Sequence, residues 1–325
     1  YRVASSADGI YTWENVSPTT GTNQVVECDS EVFRVAYAGT TTRLQKTIDL
    51  GDTWGDILNA NVRDISIGPF QRVITDDQIL LLTANYLGGE SANVYCSIFN
   101  GATWTLQSTI SPTTEVDPQK ARLYKLGNYH WFVRFGTGTV PRWAMRSADQ
   151  GITWENKLDR VNAMCISADD TLWAITGGGL TAAGGVPAYI QKSTDNGDTW
   201  TISKDLGAGT MVNSYHSIAA HPTNASMIAV GAYYYVYSRV IWTTNGGTTW
   251  TNYGFGGFFG SANTESADIR ILPDSKILFV TYGLQQGGKQ FSATAPYPYT
   301  SWTKSTISLG AAGYMELATP TYEDY

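Results

Sequence analysis

Residues 193–200 read Ser193-Thr194-Asp195-Asn196-Gly197-Asp198-Thr199-Trp200, and the pattern returns. Residues 147–154 are SADQGITW, residues 47–54 are TIDLGDTW and residues 243–250 are TTNGGTTW. Each holds an acid or amide, a Gly two residues on, and Thr-Trp at the end. A short carboxylate or amide accepts hydrogen bonds from backbone N–H groups just ahead of it and closes an Asx-type turn. Gly takes the φ > 0 position at no steric cost. The Trp then opens the next strand with a large apolar surface to bury. The expected element is a hairpin turn fixed from both ends.

Weaker copies extend the series. Residues 6–13 (SADGIYTW) move the Gly forward by one, residues 97–104 (SIFNGATW) keep Asn100-Gly101, and residues 292–302 end in Ser-Trp without the rest. The Trp positions are therefore 13, 54, 104, 154, 200, 250 and 302, with steps of 41, 50, 50, 46, 50 and 52. One Trp per unit at a period in the forties to fifties is the signature of a repeat architecture.

The motif S/T-x-D-x-G-x-T-W resembles the Asp-box, or BNR repeat. That repeat is found in sialidases, two-propeller xyloglucan-cleaving glycosidases, sortilin-type receptors and photosystem II assembly propellers. The resemblance implies an all-β β-propeller with each Trp packed between neighbouring blades, and the seven Trp positions and the strand runs count a single seven-bladed propeller over residues 1–325 with four-stranded antiparallel blades. It implies little about activity, because the family's boxes are structural hairpins away from its active sites.

Strand signals fit this frame. Alternation in Val32-Phe33-Arg34-Val35-Ala36-Tyr37 marks a strand, and six runs of four strands follow one another from Gln24 to about Ile307. Two further strands in 1–16 and about two in 311–325 would share one blade, a closure that removes free sheet edges. Aligning first strands sets Asp64-Ile65-Ser66-Ile67-Gly68-Pro69 over Asp268-Ile269-Arg270-Ile271-Leu272-Pro273. Ala163-Met164-Cys165-Ile166 and Ser217-Ile218-Ala219-Ala220 fit the same frame.

Composition narrows the function. Charged residues are 15% and aromatics 13%, and the net charge is −7. Charge so far below the roughly 25% of an average domain suits short strands and tight turns. An acidic chain with no basic block does not suit nucleic acid or an anionic membrane. No apolar run reaches the roughly 18 residues of a spanning helix. The chain starts at Tyr1, which fits either a removed leader or trimmed ends. Cys28, Cys96 and Cys165 show no CxxC or Cys/His spacing and read as buried free thiols. His130, His216 and His221 form no HExxH, so no metal or other cofactor is expected. The glycine-rich stretch 177–185 lacks GxxxxGK[ST] and reads as a flexible loop.

The default ligand site of such a fold is the axial mouth opposite the boxes. Arg63, Asp64, Arg122, Arg160, Asp268 and Arg270 are placed there, with Asp159 and Glu265 in adjacent loops. They either clamp a carboxylate or sugar, or neutralise one another around a wet channel. A sialidase, by resemblance, needs an arginine triad, a Tyr–Glu pair, an Asp acid and an Arg-Ile-Pro near its start. This chain has Arg2-Val3-Ala4 there. A glycosidase of another type needs two carboxylates roughly 5–10 Å apart, and Asp64 with Asp268 is the best pair. Phe255, Phe258 and Phe259 crowd the loop between units five and six as a candidate docking surface. Tyr233, Tyr235 and Tyr237 read either as one buried strand face or as part of that surface. The sequons at Asn15 and Asn224 are expected by chance in so Asn- and Ser-rich a chain. Asp49, Asp149 and Asp195 are assigned to turn geometry.

The resulting expectation is a non-enzymatic binding or structural propeller, secreted, on a cell surface or on a virus particle, recognising a glycan or a protein. The alternative is a glycoside hydrolase, sialidase-like or xyloglucanase-like, acting on a polysaccharide. An assembly chaperone like the photosystem propellers would need a basic patch on one face, which the scattered arginines do not supply.

Overall fold

The structure, a computed structural model, describes backbone over residues 2–5, 11–14, 21–28, 31–38, 41–47, 53, 55–58, 65–73, 78–85, 92–98, 104–110, 121–134, 143–149, 151–177, 187–207, 210–211, 218–234, 237–254, 264–283, 289–295 and 303–308. Side chains are described chiefly in 126–133, 143–149, 151–177, 187–207, 218–232, 239–254 and 269–279. Among these residues there is no helix. Backbone contacts divide the chain into two compact units, residues 1–123 with 150–152, and residues 124–149 with 153–325.

In the first unit β1 (Arg2–Ser5) pairs with β2 (Tyr11–Glu14) as a two-stranded sheet. Next come β3 (Gly21–Cys28), β4 (Glu31–Ala38), β5 (Thr41–Thr47) and β6 (Gly55–Leu58), an antiparallel sheet in chain order. A second such sheet holds β7 (Ile65–Val73), β8 (Gln78–Asn85), β9 (Ala92–Ile98) and β10 (Trp104–Ile110).

The second unit runs from the end of β11 (Ala121–Leu126), through β12 (Tyr129–Arg134), β13 (Trp143–Ser147) and β14 (Glu155–Asp159). The sheet β15 (Val161–Ile166), β16 (Leu172–Gly177), β17 (Ala188–Ser193) and β18 (Thr201–Gly207) follows. Then come β19 (Thr210–Met211), β20 (Ile218–Ala220), β21 (Ile228–Tyr234), β22 (Tyr237–Thr243) and β23 (Thr251–Gly254), with both β19 and β20 paired to β21. Last is β24 (Thr264–Ile271), β25 (Ile277–Gly283), β26 (Lys289–Ala295) and β27 (Thr303–Ser308). The six expected runs of strands are therefore present. The two strands expected in 311–325 lie outside the described residues.

One register repeats. The residue seven before each Trp pairs with the first part of the second strand: Thr47 with Val32, Ser97 with Ile79, Ser147 with His130, Ser193 with Leu172, Thr243 with Ile228 and Ala295 with Ile277. Counting rungs from that pair, an extra residue interrupts the first strand at one recurring place. The shift falls between Thr22 and Gln24, Ile67 and Phe70, Val161 and Ala163, and Ser266 and Asp268. A β-bulge bends and twists its strand, which suits an innermost strand that must curve.

This register corrects the first-strand alignment read from the sequence. Phe70 pairs with Leu81 and Ile269 with Phe279, so Phe70, not Ile65, stands on the rung of Ile269. Pro69 sits at the bulge of β7, whereas Pro273 sits in the turn after β24. Two short apolar runs align equally well when no inserted residue is allowed for, and the bulge in β7 shifts the true frame.

Packing in the second unit follows from alternation on strands covered on both faces. All six residues of β16 are buried. Leu172 and Ala174 join Trp131, Val133 and Ala144 of the preceding sheet, while Trp173 and Ile175 join Ile228, Val230 and Ile241 of the following one. The next seam gathers Ala229, Val240 and Trp242 with Ile269, Ile271 and Phe279. First strands are neighbours, β15 beside β20 and β20 beside β24. Sheets are thus stacked face to face with their first strands together.

The Trp-ended hairpins lock these faces. Trp200 meets Trp131 of the preceding sheet edge to face with centroids 6.5 Å apart, and Trp250 meets Trp173 in the same way at 6.0 Å. Trp154 packs on Phe132 of its own sheet at 6.2 Å. In the four strong copies the strand begins one residue after the Trp, at Gly55, Glu155, Thr201 and Thr251, rather than on it.

Inside the turn the bonding reaches further than expected. Asp195 Oδ1 accepts the Thr199 amide at 2.9 Å, four residues ahead, and Oδ2 accepts the Thr199 hydroxyl at 2.6 Å. The Ser193 hydroxyl donates to Asp195 at 2.7 Å and accepts the Gly197 amide at 2.8 Å. Gly197 has φ 87°, and a Cβ there would lie 2.4 Å from the Trp131 ring. Asp149 and Asn245 hold Thr153 and Thr249 alike. In two sheets a basic residue just before the motif ties the hairpin of the following sheet to its own. Arg146 donates to the Asn196 carbonyl at 2.6 Å, and Lys192 to the Gly246 carbonyl at 3.1 Å.

Candidate functional site

In each antiparallel sheet the turns between strands one and two and between three and four share one end. The opposite end of the β15–β18 sheet holds the best-defined polar cluster away from the Trp hairpins. Arg160 joins β14 to β15 with φ 58°, a left-handed conformation that bulky side chains adopt only when their surroundings impose it. Its carbonyl accepts the Gly177 amide at 2.9 Å. Gly177 has φ 74°, and a Cβ there would collide with the Pro187 carbonyl oxygen. Asn162 is the bulged residue of β15. It is buried, and its Nδ2 donates to the Gly177 carbonyl at 2.6 Å. Gln191 reaches the Thr176 hydroxyl at 2.6 Å one strand over. Asp159 is exposed and accepts from Asn156 at 3.3 Å. The backbone under Arg160 is thereby fixed while the residue stays exposed. A guanidinium so held suits a carboxylate or a hydroxyl-rich ligand.

The other expected site residues distribute differently. Arg270 pairs with Leu278, one rung from the Leu272–Lys276 turn at the hairpin end of its sheet, and donates to the Ile269 carbonyl at 2.9 Å. It therefore lies near the end of its strand that the Trp hairpin shares. Asp268 sits within β24, opposite Val280 on the fourth rung from the Leu272–Lys276 turn. Glu265 lies on β24 opposite Tyr282, not in a loop. Arg122 is the second residue of β11. The side chains of Arg122 and Asp268, and all of Arg63, Asp64, Phe255, Phe258 and Phe259, lie outside the described residues.

The acids of the repeat are committed to the turn. The Thr199 hydroxyl and amide, then the Ser193 hydroxyl, hold Asp195 down at about 2. Burial pushes Asp149 up, but its bonds from Thr153 and Ser147 outweigh this and leave it below the ordinary range. Lys157 draws Asp198 down in a 2.7 Å pair, against the opposing pull of desolvation, with Arg146 adding to the effect. A carboxylate held ionised this firmly has no proton to give near neutrality. Cys165 is a free thiol that burial pushes well above its ordinary value despite nearby Arg270, so it is a poor nucleophile. Among the described residues no group of three His, Cys, Asp or Glu gathers to hold a metal, and no helix is long and apolar enough to cross a membrane.

Several working residues escaped the sequence reading. Ser147, Ser193 and Thr243 open the motif and bond its acid or amide. Arg146 and Lys192 stand one residue earlier. A basic residue directly before the motif, as also in Lys46-Thr47, was the available signal. Asn162 had none, since a bulge does not announce itself in a short apolar run.

Sheets stacked through paired Trp rings with first strands adjacent define a class, the β-propeller, and solved structures agree. The chain is similar to the GH74 enzyme of Niastella koreensis, with TM-score 0.61 and 16% identity over 87% of this chain and 46% of that one. It is also similar to an ancestral GH74 enzyme, with TM-score 0.57 and 15% identity over 90% of this chain and 39% of that one. A third likeness is to an uncharacterized protein of Listeria monocytogenes, with TM-score 0.51 and 12% identity over 90% and 84%. The chain thus spans less than half the length of the two GH74 enzymes. No protein-family profile and no curated protein sequence matches it.

Proposed function

We propose that this chain is an Asp-box propeller of seven blades, its head and tail sharing the blade begun by β1 and β2, and that it acts on polysaccharide as part of a xyloglucanase-like glycoside hydrolase. The likeness to two GH74 enzymes over 87% and 90% of the chain is the observation that carries this reading. It favours the hydrolase over the purely binding role expected from composition. In this reading Arg160 orients a sugar ring or uronate at the end away from the hairpins. The acid and base come from carboxylates outside the described residues, Asp64 among them, rather than from the hairpin aspartates.

A second reading keeps the fold and drops the chemistry: a secreted, surface-bound or virion-associated propeller that recognises a glycan or a protein. The commitment of Asp149, Asp195 and Asp198 to structural bonds favours it. One experiment separates the two. The purified chain is incubated with xyloglucan, other β-glucans, a polyuronate and a sialylated glycan, and both reducing ends and binding are measured. New reducing ends from a β-glucan support hydrolysis. Saturable binding without release supports the second reading. Neither, with the chain folded, contradicts the hydrolase reading and the glycan arm of the second, and leaves a protein as the ligand.

A further inference from the structure

The seam between the β19–β23 and β24–β27 sheets carries a histidine whose protonation its partners dictate. His221 ends the first strand of one sheet and is buried. Its Nδ1 accepts two backbone amides, Thr223 at 3.1 Å and Asn224 at 3.0 Å. A ring nitrogen that receives two N–H groups holds no proton of its own, so the ring proton sits on Nε2. That nitrogen lies 3.1 Å from the hydroxyl of Ser275, in the Leu272–Lys276 turn of the next sheet. Ser275 is itself held at φ 64° by a bond from its amide to the Leu272 carbonyl.

A second proton would have to enter at Nδ1 and face both amides. The turn it would disturb is braced on three sides. The His221 amide donates to the Met227 carbonyl, the Met227 amide to the Asn224 carbonyl, and the Gly246 amide to the Ser226 carbonyl. Loss of the Nδ1 bonds therefore spreads to the Trp hairpin of the same sheet. The charged groups facing the ring come from the opposing turn. Asp274 is there, its carboxylate bonded by the Lys276 amide at 3.1 Å and ammonium at 2.7 Å. The ring's own turn, 222–226, and the hairpin 244–249 contain no charged side chain. Burial holds the imidazole below its ordinary value and outweighs the Pro273 carbonyl and the Asp274 carboxylate, which favour the cation.

We propose that His221 is an acid-sensitive pin: its neutral imidazole fastens one blade's inner turn to the next, and its protonation releases that seam. Because the folded state disfavours the cation, the stabilisation is complete above the ring's ordinary value of roughly 6.5 and fades as pH falls below it.

The test uses the full chain. Ring nitrogen spectra of the wild-type protein are recorded from neutral to acid pH, with amide hydrogen exchange at pH 7 and pH 5 corrected for intrinsic rates. The expected ring has an unprotonated Nδ1 at neutral pH and titrates below the ordinary histidine range. Exchange of the Thr223 and Asn224 amides and of β24 then rises on the order of tenfold between the two conditions. Ser275→Ala, which removes the hydroxyl and leaves the Pro273 carbonyl as the ring's remaining partner in that turn, raises exchange in β24 already at pH 7, and His221→Gln abolishes the pH dependence. A ring that titrates at or above the ordinary value, or one protonated at Nδ1, overturns the proposal without any variant. So does a folded His221→Gln protein with the wild-type pH dependence.

Discussion

Asp195 and Asn245 close the same turn with different chemistry. Asp195 accepts from the Thr199 hydroxyl, whereas Asn245 donates its Nδ2 to the Thr249 hydroxyl at 2.8 Å. The amide therefore reproduces the geometry without the charge. Asp195→Asn is expected to fold with a near-normal Tm at pH 7, and Asp195→Ala to melt distinctly lower, because Ser193 and the Thr199 amide lose their partner. Acid separates them further. The folded carboxyl titrates at about 2 and the unfolded one near 3.9, so its contribution is whole above the unfolded value and is lost as pH falls toward the folded one. Thermal melts between about pH 5 and 2 should show a shallower acid loss for Asp195→Asn than for wild type. Equal slopes would contradict the assignment. Gly197→Ala meets both a positive φ and the Trp131 ring, and a loss of roughly 1–3 kcal/mol in denaturant unfolding is expected. The Asp and Gly were legible at this scale because turn chemistry singles them out. The Ser193 position was legible as the recurring first residue of the motif, but its bonds to Asp195 and to the Gly197 amide were not, since the spacing alone does not assign a partner to the hydroxyl.

At the scale of the element, the unit is a hairpin whose Trp, at positions 200 and 250, lands on an aromatic of the sheet before it. Trp173 is the centre of one such contact. It is fully buried, touched by Trp250, overlain by Lys192 at 5.5 Å and bonded through Nε1 to Ser167 at 3.2 Å. Trp173→Ala is expected to cost about 3–5 kcal/mol, measured by denaturant unfolding, as large aromatics in close-packed cores do. A cost under about 1 kcal/mol would mean that the seam repacks. The existence, order and type of the strands were legible, since alternation and the Trp period report burial directly. Strand register was not. Each bulge inserts a residue into a short apolar run, and no composition or period distinguishes Phe70 from Ile65 as the partner of Ile269's rung. The corrected register puts Arg270 one rung from the Leu272–Lys276 turn and Asp268 two rungs further along β24.

For the whole molecule, the Trp count leads to the expectation of seven blades with a shared first and last one, and the solved structures of similar fold bear on the propeller class alone. Arg160 is placed at the end of its sheet opposite the Trp hairpin by the bonds its backbone and neighbours make, and Asp64, Phe255, Phe258 and Phe259 lie outside the described residues. Closure is the claim on which the position of any axial site depends, and a distance tests it most directly. Spin labels at Thr12 and Thr319, in a chain with Cys28, Cys96 and Cys165 replaced by Ala, report whether head and tail share a sheet. The account predicts a separation of neighbouring or next-neighbouring strands, on the order of 5–15 Å between backbones. A separation comparable with the breadth of the domain, on the order of 40 Å, would contradict it.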